Sequence, residues 1–164
     1  MEKIVTKLRY FAAAAVCAAA SLAVPAFAQA PADVSARLTD ARFLVQCIPG
    51  AEAVAVAEAD RAVCTLRPGF AFVRGTLELT LRVVEASPGT ATRLALTSKG
   101  IGSSSEVEAL LTYTAQDGGT RVHWTADIKQ LGGLLKAIPQ GLIRGAAQKV
   151  IADVWANVEV KFRA

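Results

Sequence analysis

The sequence predicts an α+β domain: a strongly curved antiparallel sheet wrapped around one long C-terminal helix. Three observations carry that prediction. Apolar and polar side chains alternate with period two in successive runs between Ala53 and Ile128, as in strands with one wet face. Turns rich in proline and glycine separate the runs so closely that neighbours must pair antiparallel. After Gly132-Gly133 the apolar spacing changes to about four, the spacing of an amphipathic helix.

The first residues are read apart from the fold. Lys3, Lys7 and Arg9 form a positive start, Tyr10 to Val24 is apolar and alanine-rich, and Pro25 precedes the small-x-small pattern Ala26-Phe27-Ala28. This is the anatomy of a secretory signal peptide cut after Ala28. Residues 1–28 are therefore expected to be a signal peptide and residues 29–164 one domain, periplasmic or secreted. The apolar run is shorter than the roughly 20 residues of a spanning helix; an uncleaved inner-membrane anchor is the alternative. The leader holds three of the 18 basic and one of the 14 acidic residues, which leaves 15 against 13, about +2. So weak a charge, with no cluster of Lys or Arg, argues against nucleic acid as a partner. Cys47 and Cys64 are candidates for a disulfide, which an oxidising compartment permits. Two buried thiols behaving as small apolar residues are the alternative.

Along the domain, Ala32–Thr39 reads as a short helix with Pro31 at its start, and Ala41–Cys47 as a second capped by Asp40. Strands follow at Ala53–Ala57, Ala62–Arg67, Ala71–Glu85 and Ala91–Lys99. Two more run through Val107–Tyr113 and Val122–Ile128. Gly100–Ser105 reads as a turn, and Asp117-Gly118-Gly119 as a hairpin signal. A helix of nearly thirty residues is expected from Leu134 to Phe162, with Pro139 kinking it or moving its true start. Gly141 and Gly145 cost about 1 kcal/mol each inside a helix and leave room beside the backbone. A sheet curved around one helix commonly leaves an apolar cavity for a small molecule. The candidate lining is Leu79, Leu81, Leu94, Leu96, Ala109, Leu111, Tyr113, Val122, Trp124 and Ala126 from the strands, with Leu142 and Ala146 from the helix.

The stretch Leu38-Thr39-Asp40, followed by Cys47-Ile48-Pro49-Gly50-Ala51-Glu52, resembles the opening of the CoxG family of carbon monoxide dehydrogenase subunits. The later order is also similar: Gly75-Thr76 in a long strand, Gly119-Thr120-Arg121 at a hairpin, Gly132-Gly133, then a helix near Leu134. The resemblance covers about residues 31–162. It implies the START-like, SRPBCC helix-grip fold with a hydrophobic cavity. It also implies association with molybdenum-containing hydroxylases and roles in membrane attachment, maturation or delivery of a lipophilic cofactor such as a quinone. Members usually begin with a strand before the first helix. Here the leader occupies that place, so cleavage after Ala28 would leave the N-terminal edge strand missing.

Catalytic chemistry has little support in the residues. His123 is the only histidine and falls on the polar phase of its strand, so a triad or Cys–His pair would have to use a surface side chain. Ser103, Ser104 and Ser105 read as turn residues. Glu106 and Glu108 share an outward face. Nothing has the spacing of a zinc site or a phosphate loop, and no cofactor is called for. The expected function is thus that of an exported, non-catalytic protein binding a quinone-like or lipid-like molecule. Accessory service to a molybdenum hydroxylase and peripheral membrane contact accompany it. A docking subunit with a filled core and a polyketide cyclase-like enzyme are the rivals.

Overall fold

The computed structural model describes residues 25–67 and 74–164. Strand β1 is Ala26–Phe27 and is followed by helices α1 (Pro31–Leu38) and α2 (Ala41–Val45). The strands β2 (Ala51–Ala57), β3 (Arg61–Leu66), β4 (Leu77–Ser87), β5 (Ala91–Gly100), β6 (Ser103–Gln116) and β7 (Gly119–Gly133) follow. A 3₁₀ turn at Leu134–Ala137 leads into α3 (Gln140–Arg163). All seven strands form one antiparallel sheet in the order β1-β7-β6-β5-β4-β3-β2. This is the α+β helix-grip arrangement expected from the alternation and the late change of period.

The boundaries differ from expectation where turn chemistry is decisive. The residues Ala71–Val73 of the expected long strand lie outside the described residues, and β4 begins only at Leu77. The expected turn at Gly100–Ser105 shrinks to Ile101-Gly102, both at positive φ (55° and 65°), the geometry of a tight two-residue hairpin loop. Glycine is the usual choice for such a position and isoleucine is not, so the residues give no hint of so short a turn. Ser103–Ser105 consequently belong to β6. At the other end of β6, Asp117 (φ 49°) and Gly118 (φ 79°) make the same kind of loop, here with the residues that signal it. The N-terminal edge strand is present, two residues long, with Ala26 opposite Arg121 and Phe27 opposite Thr120.

Curvature follows from bulges. Register shifts occur twice in the β2–β3 pair, once between Val83 and Glu85 on β4, and once where Lys129 is the extra residue opposite Glu106/Val107. Each adds a residue to one strand and bends it. The long helix starts late because Pro139 has no N–H to continue the preceding turn; it stands as the N-cap of a 24-residue α3.

The core sits at one end of the grip. Val34, Leu38, Ala41, Leu44 and Val45 from α1 and α2 close it. Leu81, Leu94, Leu111, Tyr113 and Val122 supply the sheet side, and Trp155, Val158 and Phe162 the helix. Phe162 packs against Phe27 with the rings tilted by 44° at 4.5 Å and meets Phe43 edge-on at 5.5 Å. The Arg37 guanidinium lies over both the Phe43 and Phe162 rings. Asn157 donates to the Cys47 carbonyl at 2.9 Å, which ties α3 to the end of α2. Replacing Phe162 with alanine removes the ring at this junction and should cost about 3–5 kcal/mol, read from denaturant unfolding.

Candidate functional site

Because side chains alternate along a strand, the register settles which residues share the concave face. Leu79 lies opposite Ser98, Leu81 opposite Leu96 and Val83 opposite Leu94. Leu94 lies opposite Ala109, Leu96 opposite Val107 and Ser98 opposite Ser105. Ala109 lies opposite Ala126, Leu111 opposite Trp124 and Tyr113 opposite Val122. The ten strand residues expected to line a site are thus brought onto one face.

That face is divided in two. Toward α1 and α2 it is filled: Leu81, Leu94, Leu111, Tyr113 and Val122 are buried. Its polar groups are matched internally there, as buried polar groups should be. The Thr92 and Tyr113 hydroxyls share a 2.8 Å hydrogen bond, and the Thr120 hydroxyl donates to the Gln29 carbonyl at 2.7 Å. Toward Gly133 the face is only half covered. Leu79, Leu96, Val107, Ala109, Trp124 and Ala126 are half-buried, and Ile128 is 48% exposed.

The helix mirrors this division. Its buried residues, Trp155, Val158 and Phe162, all lie in its second half. In its first half Leu142 is 57% exposed and Ala146 half-buried. A Cβ added at Gly141 or Gly145 would meet nothing within 4 Å. The glycines therefore mark open space, not tight packing. Leu142 and Ala146 stand at the open half of the grip, away from the filled half. A separate depression of about 370 Å³ lies by the β6–β7 hairpin, lined by Ala26–Ala28 and residues 116–121; it contains none of the expected lining residues.

Sequence reasoning missed one polar feature of the open half. The Ser98 and Ser105 hydroxyls lie 2.7 Å apart, side by side on adjacent strands and inward by register. One O–H serves that bond, which leaves one donor and spare lone pairs directed elsewhere. Three serines after a glycine read as a turn, and only the two-residue loop at Ile101-Gly102 reveals them as strand.

Other chemistry is kept apart by the fold. His123 is exposed on the outer face opposite Thr112, whereas Cys47 and Cys64 are buried free thiols, so no Cys–His pair forms. The disulfide considered from the sequence is not formed; Cys47 instead contacts the Phe43 carbonyl at 3.4 Å. Glu108 lies on the outer face, 3.0 Å from Lys129. Among the described residues no group of three His, Cys, Asp or Glu could hold a metal ion.

Burial pushes the thiols of Cys47 and Cys64 above their ordinary 9.0, partly offset at Cys47 by Lys161 and Arg37. It likewise raises Tyr113, against the opposing Thr92 hydrogen bond. At pH below the ordinary thiol value both folded and unfolded chains keep these protons, so stability is insensitive to them. Above it the unfolded chain ionises first, and stability falls as pH rises. The denaturation midpoint should therefore decline above about pH 9. Alkylation followed by peptide mapping should find Cys47 and Cys64 at least tenfold slower in the native than in the unfolded chain.

The family model of the carbon monoxide dehydrogenase subunit known as CoxG matches residues 26–162. No curated protein matches. Among solved structures, a conserved protein from Geobacillus kaustophilus is similar at a TM-score of 0.74 and 22% identity, over 85% of this chain and 91% of its own. A protein from Thermus thermophilus is similar at 0.58 and 13%, over 85% and 94%. One from Chromobacterium violaceum is similar at 0.54 and 17%, over 84% and 94%. At these identities the likeness is one of fold.

Proposed function

The chain belongs to the CoxG family of carbon monoxide dehydrogenase subunits, and on that premise we propose that it is a non-catalytic accessory protein carrying a lipophilic molecule, quinone-like or lipid-like. The carrier would serve a molybdenum hydroxylase of the carbon monoxide dehydrogenase type. The observation that carries this reading is the half-covered concave face, apolar along Leu79, Leu96, Val107, Ala109 and Trp124, together with a first half of α3 that holds no fully buried residue. Apolar surface left within a fold is stabilised by covering it, at roughly 25 cal/mol per Å² before association costs. The leader-like residues at the start of the chain direct it out of the cytoplasm. Leu134 (63% exposed) and Leu142 stand near Lys136 and Arg144 in the chain. This pairing of apolar and basic groups suits contact with an anionic membrane surface, from which such a cargo would be taken.

The rival reading is a docking subunit that holds nothing, and the packed closed half of the grip favours it. Native mass spectrometry with organic extraction separates the two. The carrier reading expects an extra mass that extracts as a quinone or lipid. A bare protein that also refuses lipophilic probes would leave only the docking role.

Two substitutions probe the groove itself. Leu142→Ala should change stability by no more than about 0.5 kcal/mol, yet weaken uptake of a lipophilic fluorophore roughly tenfold, since covering a leucine is worth about 1.5–3 kcal/mol. Replacing Ser98 and Ser105 together by alanine leaves neither hydroxyl unpaired, which keeps the cost to folding small. It should lower affinity for a probe bearing a carbonyl oxygen several-fold while leaving a hydrocarbon probe unaffected, as measured by fluorescence titration.

A further inference from the structure

The first strand of the sheet coincides with the expected processing site. The Val122 N–H donates to the Pro25 carbonyl at 3.0 Å, and Ala26 and Phe27 pair with Arg121 and Thr120. The Gln29 carbonyl accepts from the Thr120 hydroxyl at 2.7 Å; the Gln29 side-chain amide donates to the Phe162 carbonyl at 3.4 Å. Phe27 is 7% exposed, and its ring lies 4.5 Å from Phe162. Gly119 passes so close that a Cβ there would overlap the Phe27 carbonyl. Independently, the family match begins at residue 26, ahead of the Ala28–Gln29 bond.

A cut after Ala28 would therefore not trim a tail from a finished domain. It would take away a core aromatic, the partner of Phe162, and the β1 side of the sheet. It would also bare the β7 N–H that Pro25 now satisfies. We infer that the Ala28–Gln29 bond is not a processing site in this protein. Pro25–Gln29 stays as the first strand, and the apolar sequence ahead of it stays attached, holding the domain at the membrane. In sequence, Tyr10–Val24 with Leu8 and the aliphatic stems of Lys7 and Arg9 reaches the lower end of the roughly 17–25 residues that cross a bilayer. The inference does not depend on what the groove holds.

The test uses the full chain, expressed with its own leader in a bacterium with a periplasm. Membranes are separated from soluble protein, and the intact mass of each fraction is taken. The expected result is one species beginning at Met1 or Glu2, sedimenting with the membranes. A soluble species beginning at Gln29, or any other shortened amino terminus, overturns the inference. Hydrogen exchange of the detergent-purified full chain gives a second readout. The Val122 amide should exchange at least a hundredfold slower than in unstructured chain. Exchange at the unstructured rate would show that Pro25 is undocked and would equally overturn it.

Discussion

The fold depends on the junction at Phe162. Three successive N-terminal elements, far in sequence from it, meet on that one ring: Phe27 from the first strand, Arg37 from the first short helix and Phe43 from the second. Aromatic pairs and a cation over a ring face each add roughly 0.5–1.5 kcal/mol to what burial supplies. Their larger effect is geometric. A helix joined to its sheet only through the 3₁₀ turn after β7 could lie across the grip at many angles. Phe162, Val158 and Trp155 select one by burying the second half of α3 where the sheet, α1 and α2 converge. The hydrogen bond from Asn157 to the Cys47 carbonyl holds the same angle from the side.

Once that end is filled, the other end is left partly open by arithmetic. The sheet contains strands of 14 and 15 residues, and short plugging helices cannot cover their whole inner face. Large buried side chains at one end and half-buried ones at the other follow from a single helix fastened asymmetrically. The polar groups divide in the same way. Thr92, Tyr113 and Thr120 are paired within the filled end, whereas Ser98 and Ser105 meet each other at the open one.

Much of this is legible in the residues. Leu77, Leu79, Leu81 and Val83 alternating with Glu78, Thr80 and Arg82 announce a half-buried strand, and Asp117-Gly118 announces the β6–β7 hairpin, because backbone preference and side-chain pattern agree at both places. The four-residue spacing after Gly133 announces α3, and the proline at 139 its delayed start. What stays hidden is decided by tertiary context. Ile101 occupies a conformation its own side chain disfavours, so the turn it makes cannot be read and the serines beyond it look like a loop. Ala26-Phe27-Ala28 satisfies two patterns at once, a leader's end and a short edge strand. Local sequence cannot separate them, because the distinguishing partner, Phe162, lies at the far end of the chain. The division of the groove is equally invisible. Period four marks one continuous face from Leu134 to Phe162, while burial follows only its second half.

The first half of α3 is a beam supported at both ends. Its start is tied to the sheet through the 3₁₀ turn, where the Leu134 N–H donates to the Gly102 carbonyl at 3.0 Å, and its far half is fixed by Trp155, Val158 and Phe162. At about 1.5 Å per residue, the fifteen helical residues before Trp155 span about 22 Å. A beam held in this way keeps its station over the sheet without a buried side chain at every turn, which is how Leu142 stays exposed within an ordered helix. The open half of the grip owes its shape to these two supports and not to side chains that fill it.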